Sequence, residues 1–292
     1  MDLNEERKKK LDKIVELTDD SDISSIKRIV LGIIDIINNP RSTAKDLKEL
    51  IEADPPLTAK VLRVANSAYY ACRKKISDIQ QAIIWIGFDA LKEIALSQKV
   101  CEIFAKDESI DGYSRILLWK HSVAVALLGK MIYRMEFSEK GEDTYTAGLL
   151  HDIGIIVEDQ FLQDDFKRIL HKLINEKRNL TDAELDILGY THADVGRALS
   201  SHWNFPQELI ATMGYHHNPF NAPHNFSRMI LTIYISDYIC QESVIGYCYV
   251  PFPDKTLFHR CLKELRMHPS AVNLIVDEMK QGMSKMEDQG LF

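Results

Sequence analysis

Residues 51–70 read IEADPPLTAKVLRVANSAYY, and this stretch sets the fold class. Asp54-Pro55-Pro56 is a turn that leads into a helix, whose first position accepts proline because an N–H there would have no intrahelical partner. Leu57, Val61, Leu62 and Ala65 recur at helical spacing as its buried face, and Asn66-Ser67 ends it with side chains that compete for backbone hydrogen bonds. Outward from this segment the same period continues. From Ile23 onward the apolar residues repeat helically, with breaks at Asn38-Asn39-Pro40 and Gly87, and no alternating strand pattern occurs. Ser77 and Gln80 have the spacing of a capping box that opens a helix through Ala82, Ile83 and Ile86. The expectation is an all-α protein.

The chain divides into four stretches. Residues 1–20 form a weakly amphipathic helix with Leu11, Ile14, Val15 and Leu17 on one side. Residues 21–112 form a first helical subdomain, which ends in a loop from Lys106 to Tyr113. Residues 113–242 form a second, with helices expected at 114–136, 142–152, 163–177, 181–201, 206–217 and 226–241. Residues 243–292 are an extension packed on the body: an irregular stretch, Tyr247 to Pro253, then short helices at Leu257–Leu265 and Ala271–Lys280.

Composition narrows the function. With 292 residues and 46% hydrophobic content there is ample material for a core. The 36 basic and 43 acidic side chains give a net charge of −7, which disfavours nucleic acid and anionic membranes as partners. A helix-turn-helix over residues 76–100 ranks last for the same reason. Apolar runs stop short of a membrane span, Ile29 to Ile34 at Asp35 and Val123 to Leu128 near Lys130. The N-terminus MDLNEERKKK has no apolar stretch of a secretory signal, so a cytoplasmic location is expected. Cys72, Cys101, Cys240, Cys248 and Cys261 are odd in number and contain no C-x-x-C pair, which fits reduced thiols.

Metal-ligand residue types sit on faces that should be apolar. His121 shares a stripe with Leu117, Ala124, Val125 and Leu128, while His151 and Asp152 close the run Ala-Gly-Leu-Leu just before Ile-Gly. His192 shares a face with Val195, Gly196 and Leu199, and His216-His217 end a helix before Pro219. Asp237 lies at helical spacing from Ile230, Ile233, Tyr234 and Cys240. An ionised carboxylate buried without a partner is costly, so such groups are normally paired or coordinated. For Asp237 an N-cap role or a buried salt bridge to Arg228 or Lys120 is the plainer alternative. Nitrogen and oxygen donors without sulfur suit iron, manganese, zinc, nickel or cobalt, and the donor set does not choose among them; two divalent transition metal ions, with iron or manganese favoured, are the expectation. Seven ligands exceed one ion's needs, whereas two ions about 3.5–4 Å apart sharing a carboxylate would use all seven and suit phosphoester chemistry. Asp194 is expected to point off this face into solvent, and Asp89 and Glu93 to serve helix ends or exposed faces. His171, His202, His224, His259 and His268 lack this setting and are expected to be surface or structural.

The order His121, His151-Asp152, His192, His216-His217, Asp237 resembles the metal-binding pattern of the HD phosphohydrolase superfamily. The resemblance implies that His121, His151, Asp152 and Asp237 hold one ion. Asp152, the catalytic candidate, would bridge, and His192, His216 and His217 would complete the second, as in HD-GYP phosphodiesterases and diadenosine tetraphosphate hydrolases. Residues 51–70, with 76–83 (ISDIQQAI) and Trp85-Ile-Gly87, resemble the HDOD signature. That resemblance implies a bacterial signalling or output module with a protein partner, related to HD enzymes but often without their metal ligands. This chain departs from the active HD-GYP pattern: Asn-Pro-Phe-Asn-Ala-Pro follows His217 where Gly-Tyr-Pro would stand, and Ile155 occupies a position where lysine is common. Cyclic di-GMP cleavage is therefore disfavoured, and cations for a phosphoester would come from Lys120, Arg197 or Arg228. Two functions remain open, a metal-dependent phosphohydrolase acting on a nucleotide or other phosphoester, and a non-catalytic interaction module with a structural metal site.

Overall fold

The computed structural model describes residues 3–70, 72, 74–105, 112–247 and 254–288. Most of the expected loop from Lys106 to Tyr113 and of the stretch from Tyr247 to Pro253 therefore lies outside the described residues. Those described are helical and contain no β-strand. The first six helices are α1 (Leu3–Thr18), α2 (Asp22–Asn38), α3 (Ala44–Glu52), α4 (Pro55–Ala65), α5 (Ile79–Ile86) and α6 (Phe88–Val100). After the connection come α7 (Arg115–Glu136), α8 (Glu142–Leu150), α9 (Ile153–Phe161), α10 (Gln163–Glu176), α11 (Leu180–Ile187), α12 (His192–His202), α13 (Gln207–Tyr215) and α14 (Ser227–Glu242). Two more, α15 (Lys255–Glu264) and α16 (Pro269–Asp288), follow.

Local chemistry accounts for the boundaries. Asp54 caps α4, accepting from the Leu57 N–H at 3.0 Å, with Pro55 as the first helical residue. Thr43 and Asp46 form a capping box at α3. The cap of α5 is Asp78 rather than Ser77: its carboxylate accepts from the Gln81 N–H at 2.8 Å, one residue beyond the expected box, because a carboxylate competes better for that donor than a hydroxyl. Val64 takes the buried place expected for Leu62, which is only partly covered.

Four readings of the second half are corrected. The single helix expected over 181–201 is two, because Thr191 accepts from the Asp194 N–H and Asp194 reaches back to the Thr191 N–H, restarting the helix at His192. That capping box, together with an ion pair to Arg7, also buries Asp194, which was expected in solvent. Helix α9 was not anticipated, since its run Ile-Gly-Ile-Ile-Val is apolar on every side and shows no amphipathic period. Finally, α16 is longer than the segment expected over Ala271–Lys280.

Helix α7 is the hub, packed against α8, α14 and α16, while α12 packs against α13, α9 and α1. In the first half α6 receives α2 and α4, and α6 and α2 meet α8. One apolar cluster runs from Leu11 to Met279, so the two stretches expected as subdomains share a core. Buried Lys92 of α6 bridges them, pairing with Glu142 of α8 at 3.0 Å. Glu93, also expected at an exposed face, is instead partly buried against Lys130 of α7. Helix α7 alone among the described helices is long and apolar enough to cross a membrane, but 67% of its apolar window is buried in this packing.

Asp54 also accepts from buried Lys99 at 2.7 Å, so it serves a helix end and a charge together. Asp54→Ala is expected to cost roughly 2.5–4 kcal/mol, about 1 from the cap and about 1.5–3 from the lost charged hydrogen bond. Thr43→Ala, at an exposed cap, should cost only about 1 kcal/mol. Urea unfolding of both variants checks the difference.

Candidate metal centre

Five separate segments bring the seven residues together. His121 comes from the middle of α7, His151 and Asp152 from the junction of α8 and α9, and His192 from the first residue of α12. His216 and His217 follow α13, and Asp237 lies within α14. All are buried except His217, whose side chain is 19% exposed. Two close backbone approaches fix this convergence. A Cβ on Gly154 would overlap the carbonyl of His192, and one on Gly246 would overlap the backbone of His121, so only glycine lets these segments seat.

Asp152 is the centre of the group, and its two oxygens face different partners. Oδ2 lies 3.2 Å from His151 Nε2 and 3.9 Å from His121 Nε2, while Oδ1 lies 3.4 Å from both His192 Nε2 and His216 Nε2. His217 Nε2 approaches His192 Nε2 at 2.8 Å. Two groups of ligand atoms therefore share one carboxylate: His121, His151 and Asp152, and Asp152, His192, His216 and His217. Asp237 joins through His121, its Oδ1 3.0 Å from Nε2, and is 4.0 Å from His217. The alternative salt bridge of Asp237 to Lys120 or Arg228 does not form; Gln241 donates to it at 2.8 Å instead.

The far nitrogens are tied down. Nδ1 of His151 and of His216 each lie 2.8 Å from a backbone carbonyl, of Gly148 and Met213, and Nδ1 of His192 lies 2.8 Å from Glu184. Each contact places a ring proton on Nδ1 and leaves Nε2 as the nitrogen aimed inward, the orientation that coordination needs. The Nε2 atoms of His151 and His216 are buried without hydrogen-bonding geometry to any partner. Inward-facing lone pairs with no donor to meet them, around an ionised carboxylate, are what a cation would satisfy, so the residues fit a metal site.

Electrostatics follow from this crowding. Burial would raise the Asp152 carboxyl, but the charge of His151 beside it, with the other imidazoles around it, holds it well below the usual carboxylate range. Burial lowers the pKa of His217 and of His216, and neighbouring imidazoles push the same way, which keeps these rings neutral. Burial would also lower His192, but Glu184 holds it well above the ordinary histidine value.

The proposed phosphate-holding cations are engaged elsewhere. Lys120 pairs with Glu287 at 3.2 Å, Arg228 with Glu139 at 2.6 Å, and Arg197 lies over the ring of Tyr215 and reaches its hydroxyl at 3.3 Å. Two acids were not anticipated, Glu184 and Glu158, both fully buried. Glu184 carries the signal that singled out Asp237, since it shares a helical stripe with buried Leu180 and Ala183. Glu158 went unread along with α9. Burial, and then Glu184 beside it, raise its carboxyl well above the ordinary value of 4.5.

A carboxyl whose folded pKa is raised stays protonated while the unfolded state ionises, so stability falls as pH rises above about 4.5. Glu158→Gln is therefore expected to stabilise metal-free protein at pH 7 and to lose that advantage below about pH 4.5. Thermal unfolding across this range gives the sign.

The HDOD domain model matches residues 23–219. An uncharacterized protein of Treponema pallidum (strain Nichols) is 27% identical over 217 residues, 73% of this chain; the match spans only 41% of that relative's length. A crystal structure of an HDOD domain protein of unknown function from Geobacter sulfurreducens superposes with a TM-score of 0.77 at 27% identity, covering 90% of this chain and 91% of the other. One from Shewanella amazonensis SB2B, provisionally called a phosphohydrolase, superposes at 0.65 and 21% identity over 90% of each chain, a likeness of fold. With the family model covering most of its length and the same helical architecture in these neighbours, the chain belongs to the HDOD domain family.

Proposed function

We propose that this protein binds two divalent transition metal ions, iron or manganese by preference, and is a metal-dependent phosphohydrolase of a cytoplasmic signalling system. Its substrate class is a nucleotide or another phosphoester. The observation that carries this reading is Asp152, whose two oxygens face separate sets of imidazoles while the far nitrogens of three rings are anchored. Asp152 would bridge, with His121, His151 and Asp237 on one side and His192, His216 and His217 on the other. When bound, such ions acidify water and offset charge that develops on a phosphoryl group. The protein's own share is to fix a ring proton of His151, His192 and His216 on Nδ1, to keep bulk water from all but the His217 edge, and to fix the two halves through α7 and α12. The phosphohydrolase name given to the Shewanella neighbour points the same way.

A second reading has its own support. Lys120 and Arg228 are occupied by Glu287 and Glu139, and buried Ile155, three residues after Asp152, brings no charge. A site short of phosphate-binding cations suits a structural ion inside an interaction module. Exposed Ile84 and Trp85, at 76% and 52%, would then mark the first subdomain as the partner-binding part.

Elemental analysis of protein purified without chelator separates these readings from an inert scaffold: about two metal ions per chain are expected, and fewer in Asp152→Ala. Hydrolysis of bis(p-nitrophenyl) phosphate and p-nitrophenyl phosphate then decides between them. Turnover that falls by roughly 100-fold or more in Asp152→Ala supports the enzyme. Two bound ions with no turnover support the structural role, and no ions in the wild type contradict both.

A further inference from the structure

The candidate centre does not account for Glu184. Both of its oxygens lie against His192 Nδ1, at 2.8 and 2.9 Å, and Oε2 also accepts from the His192 backbone N–H at 3.0 Å. This acid therefore holds the ring and the backbone of one ligand at the same time. It does so from a different helix: α11 carries Glu184 and α12 begins with His192, with buried Leu180 and Ala183 anchoring the acid's own helix. The other anchored imidazoles differ. His151 and His216 each meet a neutral carbonyl three residues earlier in their own segment. Such a contact forms wherever the helix forms, whereas the bond to Glu184 depends on the packing of two elements and brings a carboxylate to the ring.

Chemically the two anchors are unequal. A carboxylate on the far nitrogen fixes the tautomer more strongly than a carbonyl does and makes the metal-facing nitrogen a better donor. The backbone of His192 is restrained twice more, by the Thr191–Asp194 box and by the close approach of Gly154. Nothing in the half of the centre formed by His121 and His151 has an equivalent acid among the described contacts.

We infer that Glu184 is a positioning residue for the His192, His216, His217 half of the centre. It locks His192 with its proton on Nδ1, and it makes that half the tighter of two unequal cation sites. This inference rests on the dinuclear reading above and deepens it, because it assigns the two sites different affinities and names the residue responsible.

Cobalt(II) titration of the metal-free full chain, followed by visible absorbance and by bound-metal analysis, tests it in the wild type, Glu184→Gln and Glu184→Asp. Two Co2+ of unequal affinity are expected in the wild type. In Glu184→Gln the tighter one should weaken by roughly 10–100-fold with the other unchanged, and Glu184→Asp should recover part of the loss. Nitrogen-15 NMR of histidine rings in metal-free protein, followed to the pH at which His192 becomes neutral, gives a reading that does not depend on metal: the neutral ring should be the Nδ1–H tautomer in the wild type and a mixture in Glu184→Gln. Equal weakening of both sites would overturn the inference, as would unchanged affinities or an unchanged His192 tautomer. If the wild type takes up no Co2+ while the tautomer still shifts, the dinuclear reading fails and takes the affinity assignment with it, but the positioning contact stands.

Discussion

A carboxylate that is 1% exposed in the middle of a helical bundle needs compensation from whatever surrounds it, and at Asp152 that surrounding is four imidazoles from four different segments. This single electrostatic requirement organises much of the second half of the chain. To bring His192 to the carboxylate, α12 must start where it does, which the Thr191–Asp194 box ensures. To bring His121, α7 must pass beneath the segment after α14, and Gly246 makes that passage close enough. The apolar core then encloses the result, so polar convergence and hydrophobic burial depend on each other.

The fold was largely legible because helical amphipathicity survives in a sequence read alone. Leu57, Val61 and Ala65 in α4, or Ile23, Ile26, Val30 and Ile33 in α2, mark one face of a helix without any knowledge of what covers it. The failures have physical causes. Helix α9 is apolar all round because it is buried all round, which erases the period on which recognition depends. The break between α11 and α12 turns on one reciprocal cap, a local event that apolar spacing across 181–201 does not register.

The site was legible for a different reason: histidine and aspartate on apolar stripes conflict with burial unless something resolves the conflict. That rule found the seven residues that converge. Applied as strictly to glutamate it would have found Glu184, whose stripe with Leu180 and Ala183 is as clear as that of Asp237. What spacing could not supply was the division of labour. Only coordinates place one oxygen of Asp152 toward His151 and the other toward His192 and His216, or show Lys120 and Arg228 already paired at the surface.

Asp152 is the proposed bridge between two cation sites. Anomalous X-ray scattering from crystals grown with manganese, recorded on both sides of the metal absorption edge, observes that bridge directly. Two peaks flanking the Asp152 carboxylate, one against His121 and His151 and the other against His192, His216 and His217, are the predicted result. A lone peak held away from Asp152, or none at all at millimolar manganese, would contradict it.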